Sequence, residues 1–203
     1  MPAPPKSTIA GTPTGLSELR MSGAFTHPHW VGIMFTALSH RQISVVSGTA
    51  TVNSIAEWEA CFLLDFARSS DSPQSVDFVA LAQQSASTMD QRLPKLSSSV
   101  ITQRERGLEI VLFGPDQIGF LGRCLRHISL LALFPVEIDV KTSPGGTIHD
   151  TILVQSITGP DVKPNVVESL QKLLRDFKDA ESSSSSSGFF RNSLGVKKSA
   201  ESA

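Results

Sequence analysis

One stretch constrains the whole chain, Gly107 to Gly159. Leu108, Ile110 and Leu112 alternate with Glu109, Val111 and Phe113, which predicts a strand with both faces largely buried. After Pro115-Asp116, Ile118, Leu121, Leu125 and Ile128 fall on one helical face. Val136, Ile138 and Val140 alternate strictly with Glu137, Asp139 and Lys141, a strand with one wet face. Ser143-Pro144-Gly145-Gly146 predicts a hairpin turn, and Ile148 to Ile157 the strand that returns from it. The stretch therefore reads strand, helix, strand, strand.

The first half carries a looser copy of this pattern. Leu16 to Gly23 reads as a strand and His27 to Gly32 as a turn. Val31, Met34 and Leu38 then give a helix ending near Ser39-His40-Arg41, where basic groups suit the negative helix end. Ile43 to Asn53 is rich in Val and Thr and reads as a strand with Gly48 as an irregularity. Trp58 to Phe66 alternates with period two. Ser72-Pro73 signals the start of a second helix, Gln74 to about Ser87. The second half closes with the strongest helical stripe, Val166, Val167, Leu170, Leu173, Leu174 and Phe177.

Overlaying the halves puts His29-Trp30-Val31-Gly32-Ile33 on Asp116-Gln117-Ile118-Gly119-Phe120, and Leu38-Ser39-His40 on Leu125-Arg126-His127. Further on, Trp58 falls on His149. The expected architecture is α+β, built as two ferredoxin-like βαββαβ units, with antiparallel sheets and helices on one face. Residues 1–15 are expected as a disordered lead-in, 16–87 as the first unit and 88–106 as a linker. Residues 107–180 form the second unit and 181–203 a Ser-rich disordered tail. The final strand of each unit is not placed by pattern; Val100-Ile101-Thr102 is a candidate in the first.

The run Leu108-Glu-Ile-Val-Leu-Phe-Gly-Pro-Asp116-Gln-Ile-Gly119-Phe-Leu121 resembles the opening of an ACT domain, with its Asp-x-x-Gly-Leu-Leu-like turn between first strand and first helix. His149 to Val154, followed by Thr158-Gly159, resembles that family's third strand and the turn after it. In the first copy His29 stands where the pattern has Asp. The resemblance implies a tandem ACT-like regulatory protein. It would bind an amino acid or related carboxylate at an interdomain or dimer interface, as a homodimer or against a separate partner enzyme.

The sites this implies are His29, Trp30, Val31 and Gly32 in one copy, and Asp116, Gln117, Ile118 and Gly119 in the other. A strand-to-helix turn exposes free backbone N–H groups at the positive end of a helix, where a carboxylate docks. The alternative expectation is purely structural, with Asp116 capping its helix and Gly119 packing against the sheet. His29 would be the first suspect for catalysis, near Glu59 or Asp116, if the scaffold carried a lyase, isomerase or cyclase. A third reading is an interaction module with no ligand.

Composition excludes several classes. Eighteen basic against 19 acidic residues give a net charge of −1, without the basic surplus of a nucleic-acid protein. No apolar run approaches the roughly 20 residues that span a bilayer. No signal-peptide pattern is present at Met1, so a cytoplasmic setting is expected. Cys61 and Cys124 both sit in apolar segments and read as buried free thiols. No Cys/His cluster, phosphate loop or Gly-x-Ser-x-Gly elbow occurs, so neither metal nor cofactor is expected.

Overall fold

The computed structural model describes residues 2–53, 56–84 and 93–182. The chain is α+β, with one eight-stranded antiparallel sheet and four helices among the described residues. Strands β1 (Lys6–Gly11) and β2 (Ser17–Gly23) form a hairpin, followed by helix α1 (Trp30–His40). Strands β3 (Ser44–Val52) and β4 (Trp58–Asp65) come next, then a 3-10 turn at Pro73–Ser75 and the short helix α2 (Phe78–Gln83). The second half repeats the order: β5 (Ser98–Arg104), β6 (Gly107–Pro115), α3 (Phe120–Ser129), β7 (Leu133–Lys141), β8 (Thr147–Ser156) and α4 (Pro164–Ser182).

Three expectations are corrected here. Lys6–Gly11, within the expected disordered lead-in, is a strand paired along its whole length with β2. Ser98–Arg104, within the expected linker, is a strand paired with β6, so Val100 to Thr102 belongs to the second half. Each half therefore runs ββαββα, with its extra strand at the beginning instead of at the end. Both were missed because edge strands carry short polar side chains that read as linker; Val100 in β5 is 53 % exposed. The second helix of the first half starts later than Ser72-Pro73 suggests. That signal makes only the 3-10 turn, and Asp77 is the working cap, its Oδ1 accepting from the Ala80 N–H at 2.9 Å. The tail expected from 181 onward lies outside the described residues beyond Ser182.

The sheet order is β1-β2-β4-β3-β7-β8-β6-β5. The halves meet where β3 pairs antiparallel with β7, Ser47 opposite Lys141 and Thr51 opposite Glu137. One hydrophobic core runs through both. Phe62 and Leu64 of β4 and Ile110 and Leu112 of β6 join Leu38, Ile128, Leu170 and Phe177 from the helices, all of them buried. Each such side chain contributes about 1.5–3 kcal/mol by leaving water. Among the described residues, the helices cover this face alone. Glu109, Val111 and Phe113 on the other side of β6 are only half-buried, which corrects the expectation that both faces of that strand are largely buried. Cys61 also faces outward and is half-buried, whereas Cys124 is buried in α3; both thiols are free.

Helices α1 and α3 pack side by side and antiparallel, because glycines let the backbones approach. A Cβ on Gly122 would lie 2.8 Å from the Thr36 amide nitrogen, and one on Gly32 would lie 3.0 Å from Leu125 Cβ. Gly122→Ala therefore sets two effects against each other. Alanine gains about 1 kcal/mol of helix propensity, while overpacking against fixed backbone costs about 1–3 kcal/mol. The clash is with main chain, so a net loss of stability is expected in urea unfolding; a gain would mean that the helices slide apart freely.

The same helices correct the overlay of the halves. Trp30, Val31, Gly32, Met34, Phe35 and Leu38 are buried in α1; Phe120, Leu121, Gly122, Cys124, Leu125 and Ile128 are buried in α3 in the same sequence of positions. Gln42 and Ala132 share the left-handed conformation just after each helix, at φ 58° and 55°. Gly32 thus matches Gly122, three residues beyond Gly119. His29 matches Gly119, and His40 no longer matches His127. In the sheet, Gly23 opposes Trp58 and Gly114 opposes Ile148, so Trp58 matches Ile148 and not His149. A slip of one residue swaps the faces of a strand. With the register restored, Ala60 matches Asp150.

Candidate functional site

The turn entering α3 is held from three sides. The Asp116 amide donates to the Gly146 carbonyl at 2.8 Å, tying the turn to the β7–β8 hairpin. The Phe120 amide donates to the Gln117 carbonyl at 2.8 Å, and Gln117 Nε2 donates to the Lys95 carbonyl at 3.3 Å. Gly119 is the N-cap at φ 77°, a left-handed conformation that suits glycine. It carries no side chain to accept from the first-turn N–H groups, and no side-chain cap bond is made. Asp116 does not cap this helix.

Beneath the turn lies a cavity of about 40 Å³. Asp116, Gln117, Ile118 and Gly119 form one wall, with Phe120, Leu121 and Gly122 continuing it. Phe35, Ile43, Ser44 and Val45 close it from the first half, and Val140, Thr142, Ile148 and Asp150 from the sheet. It is therefore walled by both halves. Among the described residues, no Lys, Arg or His lines it.

Asp150 is the unusual member. It occupies the helix-facing side of β8 between Ile148 and Ile152 and is 1 % exposed. Its Oδ1 accepts from the Lys141 amide at 3.3 Å, and it has no other hydrogen bond or ion pair among the described residues. Burial pushes its carboxyl up to about 7; the Lys141 amide pulls the other way, and the charges of Asp116 and Asp139 add to the rise. Asp116 is exposed on the turn, yet partial desolvation of its carboxyl raises its pKa, against the Arg68 guanidinium and the Gln117 amide. Burial, and then the charge of Asp150, push the Cys124 thiol well up, so that sulfur is inert.

The corresponding place in the first half holds aromatic rings. Phe25 stacks on Trp30 with centroids 3.9 Å apart, and Trp30 meets Trp58 edge-on at 5.6 Å. Trp30 stands where α3 has Phe120, Trp58 where β8 has Ile148, and Ala60 where it has Asp150. Trp30 and Val31 are fully buried, Gly32 packs on Leu125, and the Trp30 Nε1 has no partner among the described residues. His29 is half-buried, 5.8 Å from the His27 ring and 6.4 Å from the Phe134 ring. Desolvation, followed by His27, lowers its pKa.

The two sets of sequence-derived site residues are thus at opposite ends of the helix pair. Gly119 lies against Ser39 at the end of α1, while His29 precedes its start. Eleven helical residues, about 16 Å, separate them. Asp116 and His29 are not brought together, and Glu59 is exposed on the other face of the sheet. No group of three or more His, Cys, Asp or Glu able to hold a metal occurs among the described residues, and no described helix is long and apolar enough to cross a membrane. Asp150 is not among the site residues expected from the sequence. The signal was there: a lone carboxylate in the apolar stripe Ile148, Ile152, Val154. No family model and no curated protein matches this chain.

Proposed function

We propose that this chain is a regulatory protein of the ACT type that binds an amino acid or related small carboxylate between its two halves. In this reading each half is a ferredoxin-like unit in permuted form. β1 and β5 take the sheet edge that the closing strand of a βαββαβ unit would occupy. One observation carries the proposal: a cavity at the uncapped start of α3, walled by both halves and holding a buried carboxylate without a charge partner. The Phe120 N–H is taken by the Gln117 carbonyl, and the remaining first-turn N–H groups at the positive helix end can donate to a carboxylate. Because the walls come from both halves, a bound ligand stabilises one arrangement of the halves, or of a second copy or partner enzyme docked on them, by its differential affinity. The first half keeps the shape of the site but fills it with Trp30 and Trp58, so a single ligand per chain is the expectation.

A thermal-shift screen of the full chain against free amino acids tests this. A ligand at 100 times its dissociation constant adds about 2.7 kcal/mol. Gly119→Val should abolish the shift, because a Cβ there would lie 2.7 Å from Ser39 Cβ and strain a left-handed φ. If no amino acid at millimolar concentration moves the melting temperature of the unaltered chain, the proposal fails.

A further inference from the structure

We infer that the cavity at the start of α3 is an ammonium pocket: Asp150 receives the primary ammonium group of a free amino acid whose carboxylate meets the first-turn N–H groups of α3. This rests on the small-molecule reading above and narrows it from carboxylates in general to α-amino acids.

Three observations converge. The cavity is lined by two carboxyl groups and, among the described residues, by no cationic side chain, so a ligand bearing only negative charge would meet the buried Asp150 with no cation in the wall; the Arg68 guanidinium that offsets Asp116 is not part of it. Asp150 is 1 % exposed with a single long hydrogen bond, leaving most of its acceptor capacity empty in a desolvated place. An ammonium group brings three donors and the missing charge. Third, the cavity of about 40 Å³ has room for a few heavy atoms, at about 10–15 Å³ for each water-sized occupant. That suits an ammonium head and its α-carbon, with the ligand side chain leaving past the exposed edge of Asp116. The first half corroborates the assignment by contrast. There Ala60 replaces the carboxylate, and the aromatic rings take the space.

The test compares each amino acid that shifts the full chain with its deamino acid and its decarboxylated amine, by calorimetric titration. The amino acid should bind at least tenfold more tightly than either fragment, and Asp150→Asn should weaken it at least a hundredfold while the variant stays folded. A second readout is independent of that variant. At pH 6 to 7 the empty Asp150 carries part of a proton, so ammonium binding should release protons, seen as heats that change with the buffer's ionisation enthalpy. A deamino acid that binds as well as the amino acid, unchanged affinity in Asp150→Asn, or heats independent of buffer would overturn the ammonium assignment and leave the small-molecule reading standing. Binding by none of the compounds sinks both.

Discussion

Asp150→Asn is expected to make the ligand-free protein more stable at alkaline pH, an unusual outcome for a change at a buried position. The carboxyl moves from an ordinary 3.8 to about 7 on folding. A group whose pKa is raised in the folded state favours folding fully below its unfolded value and loses that contribution as pH rises through the folded value. Asp150 therefore weakens the fold progressively from about pH 4 to about pH 7. At about 1.4 kcal/mol per pH unit the loss totals about 4 kcal/mol. The asparagine variant does not titrate, so the stability difference between variant and parent should grow by about that amount across this window and then level off. Its amide leaves donors unpaired, at a cost of about 1–3 kcal/mol, so the two proteins cross near the middle of the range. His29 and His127 have lowered pKa values, mainly from burial, and act in the opposite direction, destabilising the fold as pH falls. They are common to both proteins and cancel in the difference. Urea midpoints from pH 4 to 8 measure it; parallel curves would show that Asp150 is not the buried titrating group.

Trp30→Ala should be the most damaging single change at the first-half counterpart of the site. Trp30 is fully buried, in contact with the rings of Phe25 and Trp58. Truncation of a buried Trp costs about 3–5 kcal/mol through lost transfer energy and the cavity left behind. For a chain of this size that corresponds to a melting point lower by roughly 10 °C. Trp30→Phe should cost much less, since it keeps a ring beside Phe25 and removes an indole N–H that has no partner among the described residues. Neither change should alter amino-acid binding at the α3 pocket. Loss of binding in Trp30→Phe would place the ligand at the other end of the helix pair.

Both experiments turn on an asymmetry that register alone reveals. In the sequence overlay Gly32 fell on Gly119, because a glycine near a helix start is the most visible landmark in each half. The two glycines do different jobs. Gly119 adopts a left-handed turn, while Gly32, like Gly122, thins a helix so that its neighbour can approach. Matched by job, the halves align throughout their helices, and Asp150 meets Ala60. The asymmetry between Asp116 and His29 that the sequence suggested becomes one between Asp150 and Ala60, deeper in the sheet.

Local pattern alone sufficed for the strands β2, β3, β4, β6, β7 and β8 and for helices α1, α3 and α4, because period two and period 3.6 are written in side chains that alternate between core and solvent. It also marked the Asp116–Gly119 turn, since a helix start between two apolar segments shows its own boundary. The edge strands β1 and β5 were hidden. They are held by backbone pairing to a neighbour, which leaves little mark on side-chain type. Only the tertiary structure joined the halves into one sheet through β3 and β7, packed α1 against α3, and placed a cavity with a buried carboxylate beneath the turn. Those features depend on contacts between residues far apart in the chain. Whether Asp150 sits in water or in a desolvated pocket is decided by what the first half lays over it.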